Sequence, residues 1–250
     1  MDLYLLTLEQ KIGYQTLEVI VTVHHTLQGQ QCLIKNKQKM NIPKKIHQIW
    51  IGPRVLPEKY VEMTANIKAM HPDWEYKLWT HEEIFNDLYA DDIYLQAYIK
   101  DPETFKWAFI TDRIKLLLLR DFGGVYIDVD AKYIKSFDVV MDKLEDKHTF
   151  FAGMKTYDVQ SSLIECAVYG AAPNSRLINL CLDFYQDTRW AHGCMDFSNV
   201  IVHNLEDDAL LLNSKYFYSF EEFEQTIVLH EPEEIRLHSH SEENSIKEEY

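Results

Sequence analysis

One stretch constrains this chain more than any other: Phe122-Gly123-Gly124-Val125-Tyr126-Ile127-Asp128-Val129-Asp130. The chain has only eight glycines in 250 residues, and two of them stand side by side here. In so glycine-poor a sequence the pair marks a backbone turn, and the apolar β-forming run after it predicts a strand. On a strand, residues i and i+2 share a face, so Asp128 and Asp130 are expected to converge while Val129 packs the other way. Two convergent carboxylates make a hard-oxygen site suited to Mg²⁺ or Mn²⁺, cations that complete their shells with substrate phosphates and water. A diphosphate-bearing substrate is therefore expected. The bare Asp-x-Asp pattern is weak by itself, because two solvated aspartates at a strand end read the same way. Its context has to decide.

That context is an alternation of helices and short β-runs, which predicts an α/β architecture. Ile46–Ile51 alternates, is β-rich and ends at the breaker Gly52-Pro53, so it reads as a core strand meeting a loop. A helix is expected over 57–70 and a strand over Trp74–Trp79. Thr80-His81-Glu82-Glu83 has the form of a capping box opening a helix to Tyr89. A further helix is expected over 92–99. Asp101-Pro102-Glu103 opens the next one, with Trp107, Ile110, Ile114, Leu117 and Leu118 as its buried stripe and Gly123 as its stop. Strands are expected at 148–153 and 165–171, and a helix at 174–187; beyond Thr188 no clear pattern holds. Ligands of open α/β sheets bind beyond the carboxyl ends of strands, so Trp50-Ile51-Gly52 and Asp128-Val129-Asp130 are expected to flank one crevice.

Residues 1–39 differ in character from the rest, although Leu17–Val23 reads as a strand. They are taken as an appendage, with Met40 as an alternative start. Residues 40–240 are expected to form a single domain, followed by an acidic tail at 241–250. Residues 221–250 hold ten Glu against Arg236 and Lys247, and the whole chain carries a net charge of −15. Such a balance argues against nucleic acid as a partner. It would also repel a sugar nucleotide on average, so a bound cation or a local basic group must supply the attraction. Cys32, Cys166, Cys181 and Cys194 show neither a Cys-x-x-Cys pair nor metal-ligand spacing, and are expected to be free thiols of a reducing compartment. No stretch approaches a membrane span, and the start lacks a basic n-region, so a cytoplasmic protein is expected, with peripheral membrane contact left open.

Two motifs in order, Ile42-Pro43-Lys44-Lys45-Ile46-His47-Gln48-Ile49-Trp50-Ile51-Gly52 and Trp107-Ala108-Phe109-Ile110-Thr111-Asp112 leading into Gly123–Asp130, resemble the DXD-containing sugar-transferase family. That family includes fungal outer-chain mannosyltransferases, bacterial capsular and lipopolysaccharide sugar transferases and, more distantly, glucosylating domains of clostridial toxins. The resemblance extends from about residue 42 to 155. It implies a GT-A-like fold with a mixed central sheet flanked by helices. It also implies a GDP- or UDP-sugar donor, Mn²⁺ or Mg²⁺ as cofactor, a glycan or lipid-linked acceptor and retention at the anomeric carbon.

The same resemblance assigns residues. Trp50 matches the tryptophan that stacks on the donor's base, with Ile51 beside it, although a tryptophan at a strand end can equally be core. Asp112 matches the helix aspartate that holds donor hydroxyls. Tyr126 matches a position near the donor. Asp128 and Asp130 match the two DXD carboxylates, Asp130 as the direct metal ligand. The chain departs from the pattern at Lys115, which stands where the family usually has Arg, with Arg113 nearby; Lys keeps the charge but loses the planar fork. A family-like His-rich end is matched weakly by Leu237-His238-Ser239-His240, making His238 a candidate third metal ligand, and Ile246 replaces the usual Trp. The leading expectation is a metal-dependent glycosyltransferase of surface polysaccharide or glycan synthesis. A toxin-like protein glycosyltransferase and a degenerate sugar-nucleotide-binding protein without turnover are the alternatives.

Overall fold

The computed structural model describes residues 4–12, 15–23, 41–52, 55–100, 107–156, 162–187, 193–217 and 226–229. Its contacts divide the chain into two units, Met1–Met40 and Asn41–Tyr250. In the first, β1 (Tyr4–Ile12) pairs antiparallel with β2 (Gln15–Val23), from Tyr4 opposite Val23 to Ile12 opposite Gln15. The strand expected at Leu17–Val23 is thus the second arm of a hairpin. Its first arm was not legible, because residues 4–12 mix Thr7, Glu9, Gln10 and Lys11 into the apolar run.

The second unit opens with β3 (Lys45–Trp50), α1 (Glu58–Met70) and β4 (Glu75–Thr80). The Thr80 capping box forms as expected: the Thr80 backbone N–H donates to Glu83 Oε2 at 3.0 Å, and the Glu83 N–H donates back to Thr80 Oγ1 at 3.4 Å. What it opens is a π-helical segment, Glu83–Leu88, closed by a Tyr89 N–H bond to the Ile84 carbonyl five residues back. The sequence pattern cannot register this extra residue per turn, since it predicts only a helix start. Helices α2 (Ile93–Lys100) and α3 (Trp107–Phe122) follow. The Asp101-Pro102-Glu103 start expected for α3 lies outside the described residues.

Ile110, Ile114, Leu117 and Leu118 are buried as their spacing predicts, but so are Leu116 and Leu119. A helix apolar around most of its circumference is a central one, covered on several sides. It ends at Gly123, whose N–H bonds Leu119 O at 3.0 Å with φ of 61°. Gly124 follows at φ 107°, and a Cβ there would lie 2.5 Å from the Lys45 carbonyl oxygen. The adjacent glycines therefore reverse the chain from α3 and let the next strand lie directly against β3.

That strand is β5 (Gly124–Ile127), followed by β6 (Lys132–Tyr133), α4 (Asp138–Met141), β7 (Phe150–Thr156), β8 (Ser162–Ala171), α5 (Arg176–Asp187) and α6 (Cys194–His203). The last elements are β9 (Ala209–Leu212), α7 (Ser214–Phe217) and β10 (Val228–Leu229). The central sheet runs β4-β3-β5-β8-β7-β9, and β10 pairs separately with β6. β3 lies parallel to both β4 and β5, β8 is antiparallel to β5 and β7, and β9 is parallel to β7. The expected mixed sheet with flanking helices is the one observed.

One expectation fails. β5 stops at Ile127, and Asp128-Val129-Asp130 forms the turn beyond it. The two aspartates are not successive residues on one strand face. The β3 pairing ends at His47–Tyr126, and Asp128 keeps only an N–H bond to Ala167 O of β8, at 2.9 Å, one step beyond the Ile127–Val168 pair.

Candidate active site

Register places the carboxyl ends of β3 and β5 side by side: Ile46 faces Val125 and His47 faces Tyr126 in a parallel pair. Trp50-Ile51-Gly52 and Asp128–Asp130 thus leave the sheet at one end, as expected. The backbone of Asp128 is fixed there by three hydrogen bonds. Besides its N–H bond to Ala167, its carbonyl accepts from the Tyr133 hydroxyl at 3.0 Å and from Gln48 Nε2 at 3.3 Å. Gln48 is itself oriented by the Tyr76 hydroxyl, which donates to its Oε1 at 2.7 Å. Neither Gln48 nor Tyr133 was given a role from sequence. The only available signal for Gln48 was a polar residue at a fully buried position of a core strand.

The side chains of the site meet at Lys115. Its Nζ lies 3.0 Å from Asp112 Oδ1 and 3.3 Å from Asp128 Oδ1, donates to the Cys166 carbonyl at 3.2 Å, and stands 4.6 Å over the Tyr126 ring. The Tyr126 hydroxyl donates to Asp128 Oδ1 at 2.6 Å, a short charge-assisted bond. Lys115 and Tyr126 are buried at 5% and 2% exposure, so this ion cluster works in a low-dielectric setting where each charge depends on its partners. Burial disfavours the Lys115 ammonium, but the Asp112 and Asp128 carboxylates outweigh it and hold its pKa well above the ordinary value. Burial pushes the Asp112 carboxyl up, against the pull of Lys115. Burial, then Asp128, pushes the Tyr126 phenol well up, so it stays a donor.

The position of Cys166 explains how the cluster closes. Between Ala152 opposite Tyr169 and Met154 opposite Ile164 the β7–β8 register shifts, so residues 165–168 bulge out opposite Gly153. The bulge carries the Cys166 carbonyl to Lys115, its thiol to within 3.8 Å of Asp112 Oδ1, and the Ala167 carbonyl to the Asp128 N–H. Bulges of this kind re-aim groups beside active sites. No sequence signal marked it.

The structure therefore brings Asp112, Lys115, Tyr126 and Asp128 together. Trp50 and Ile51 reach the same end of the sheet with other neighbours: the half-buried Trp50 ring lies 6.0 Å from Tyr60, and Ile51 packs against the core. Asp130 is exposed in the turn. Arg113 is turned away from the site into a two-pronged bond with Asp92, at 3.1 and 2.8 Å, and Asp92 in turn caps α2 through the Tyr94 and Leu95 N–H groups. Lys115 is thus the site's cation. His238 lies outside the described residues.

Hard carboxylate oxygens are the right donors for Mg²⁺ or Mn²⁺. Both Asp128 and Asp130 act on the buried Tyr133 hydroxyl, whose pKa is held well above its usual value by burial and then by these two charges. The two carboxylates thus stand on one short turn within electrostatic reach of the same hydroxyl, although they do not share a strand face. The residues present fit a divalent cation.

Residues 57–151 match the family described as "Glycosyltransferase sugar-binding region containing DXD motif". That segment is similar to a DXD glycosyltransferase region. The match runs from α1 into β7 and so takes in Asp112, Lys115, Tyr126, Asp128 and Asp130, while Trp50 and Ile51 precede it. Inositol phosphoceramide mannosyltransferase 3 of Schizosaccharomyces pombe is 33% identical over 110 residues, which is 43% of this chain and 30% of that protein. Mannosyl phosphorylinositol ceramide synthase SUR1 of Saccharomyces cerevisiae is 32% identical over 101 residues, covering 40% of this chain and 25% of its own. The chain thus spans less than a third of the length of these curated relatives. Among solved structures, the PaToxG glycosyltransferase superposes with a TM-score of 0.51 at 19% identity, over 66% of this chain and 70% of its own. That likeness is one of fold, and it supports the GT-A-like reading of the DXD region's sheet.

Proposed function

We propose that residues 41–250 form a divalent-metal-dependent glycosyltransferase that moves a sugar from a nucleotide-sugar donor to a lipid-linked or glycan acceptor, with retention at the anomeric carbon. The observation that carries the reading is the buried Asp112–Lys115–Asp128 cluster at the carboxyl end of the sheet, next to the exposed Asp130. A donor diphosphate would be repelled by a chain of net charge −15 unless the site supplies positive charge. Asp128 and Asp130 are the residues that would hold the cation. When bound, a divalent cation supplies Lewis-acid stabilisation to the nucleoside diphosphate that leaves.

The protein's own groups do the positioning. Lys115 neutralises and orients both Asp112 and Asp128, so that Asp112 can accept from donor hydroxyls and Asp128 can face the metal. Tyr126 fixes the Asp128 carboxylate, and Gln48 and Tyr133 fix its backbone. Fixed groups of this kind lower the reorganisation needed at the reacting centre. Trp50 is the candidate platform for the base, a contact worth about 1–3 kcal/mol in stacking. Retention rests on the family resemblance. The names of the fungal relatives favour a mannose donor and an inositol-phosphoceramide-type acceptor, which would place the reaction at a membrane surface. Among the described residues no helix is long and apolar enough to cross a membrane.

The test is a thermal-shift and turnover screen of GDP-mannose and UDP-sugars, with and without Mn²⁺, on wild type and Asp130→Ala. A ligand that binds the native state raises the melting temperature by mass action. The expected result is stabilisation by one donor, only with metal and only in wild type. Because Asp130 is exposed, the variant should fold with a stability change within about 0.5 kcal/mol. Stabilisation without transfer to any acceptor would point to a degenerate binding protein. No stabilisation by any donor would refute the reading. NMR of the anomeric carbon in the product checks retention.

A further inference from the structure

Cys166 and Cys194 are far apart in sequence and were expected to be unconnected free thiols. In the fold they meet. The Cys194 thiol, on the first residue of α6, lies 2.8 Å from Glu165 Oε1 and 3.1 Å from the Cys166 backbone nitrogen. The ligand atoms of Glu165, Cys166 and Cys194 all lie within 4.8 Å of one another. Neighbouring residues of a regular strand point to opposite faces, so Glu165 and Cys166 could not converge on one. The 165–168 bulge removes that restriction and lets both reach the α6 start. Among the described residues this is the one such group of three His, Cys, Asp or Glu ligands, and of the three Cys166 also touches the site described above, its thiol 3.8 Å from Asp112 Oδ1.

We propose that Glu165, Cys166 and Cys194 form a zinc site, distinct in chemistry from the DXD carboxylates, at which the Cys166 thiol exchanges its 3.8 Å contact with Asp112 for the metal. Two thiolates and a carboxylate are a zinc ligand set, whereas Mg²⁺ and Mn²⁺ take oxygen. Zn–S bonds of about 2.3 Å and Zn–O bonds of about 2.0–2.2 Å require ligand atoms roughly 3.4–3.8 Å apart in a tetrahedron, so the 2.8 Å Cys194–Glu165 contact opens and the wider separations, none above 4.8 Å, close, each by about 1 Å or less. Cys166 and Cys194 are both half-buried, which lets a water complete the fourth position. Binding converts two thiols to thiolates and releases two protons to solvent, with no change of oxidation state. Lys155, with Nζ 3.7 Å from Glu165 Oε2, offsets the remaining negative charge and orients the carboxylate. The consequence is local: the metal pins the start of α6 to the bulge whose Cys166 carbonyl receives Lys115.

The experiment is metal analysis and Co²⁺ titration of the full chain purified under reducing conditions. The expected result is one equivalent of zinc and, with Co²⁺, a thiolate-to-cobalt charge-transfer band that excess Mn²⁺ does not remove. Cys194→Ser and Cys166→Ser should lose the band and the zinc-dependent rise in melting temperature, while Cys32→Ser keeps both. Glu165→Gln, which leaves both thiols in place, should weaken zinc binding tenfold or more and covers the case in which a cysteine variant fails to fold. No band in wild type, a band that survives Cys194→Ser, or unchanged affinity in Glu165→Gln would overturn the proposal. So would a Cys166–Cys194 disulfide that takes up no zinc after reduction. These readouts do not depend on sugar transfer, so failure of one reading leaves the other standing.

Discussion

The Lys115 ammonium stands 3.3 Å from the Asp128 carboxylate, and this contact joins helix α3 to the turn that carries the DXD pair. Because Asp112 shares the same ammonium at 3.0 Å, one buried cation serves two carboxylates. Removing one partner of a buried pair leaves an uncompensated charge and costs about 3–5 kcal/mol. Lys115→Met is therefore expected to destabilise the fold by that amount in urea unfolding and to abolish transfer. Lys115→Arg, which restores the charge, should recover most of the stability. A Lys115→Met protein within about 1 kcal/mol of wild type would show that the cluster does not hold the turn.

Tyr126 acts on the same carboxylate through a 2.6 Å hydrogen bond from its hydroxyl. Hydrogen bonds to charged groups contribute about 1.5–3 kcal/mol. Tyr126→Phe should lose stability in that range and also weaken Mn²⁺-dependent donor binding, because Asp128 loses its orienting donor. Isothermal titration with the donor separates the two effects. Lower stability with unchanged donor affinity would make Tyr126 a core residue only.

Much of this was open to the sequence. The Gly123-Gly124 turn, the buried stripe of α3 and the capping box at Thr80 are local signals, each set by residues within a few positions of one another. Asp112, Lys115, Tyr126 and Asp128 were singled out through the family resemblance, and the structure brings their side chains into contact. What escaped depends on chain segments that are distant in sequence. The Asp128 backbone is held in its turn by Ala167 of β8, Tyr133 and Gln48, and the approach of Cys166 to Lys115 exists because β8 bulges opposite Gly153. Arg113 offered a charge close to the motif, yet Asp92, at the start of another helix, claims it. Periodicity carries no information about such pairings.

Gly124 tests the close approach of β5 to β3. An added Cβ would lie 2.5 Å from the Lys45 carbonyl oxygen and 3.2 Å from His47 Nε2, at a φ of 107° that side chains rarely adopt. The carbonyl belongs to a paired strand and cannot yield without breaking the ladder. Gly124→Ala should cost at least about 3 kcal/mol, combining backbone strain with the clash. Gly52→Ala is the informative comparison. Its φ is 100°, but the nearest obstacle is the Trp107 ring at 3.2 Å, a side chain that can tilt. Thermal unfolding should rank Gly124→Ala as the more damaging, and the reverse order would show that β3 and β5 have room to separate.

His47 sits behind that same glycine pair and makes the stability of the fold depend on pH. Trp79 Nε1 donates to its Nδ1 at 3.0 Å, so Nε2 carries the proton and donates to Gly123 O at 2.8 Å. The ring is therefore neutral, and burial lowers its pKa from 6.5 to about 4. Between those values the unfolded chain binds a proton that the native chain does not. Stability is then fully present above pH 6.5 and is lost as pH falls toward 4. For one group with this shift the loss between pH 7 and pH 5 is about 2 kcal/mol. His47→Gln, which can still donate to Gly123, has no proton to gain. Urea unfolding at both pH values should show the variant losing about 2 kcal/mol less than wild type over that interval, whatever its stability at neutral pH. Equal losses in the two proteins would mean that His47 is not held neutral in the native state.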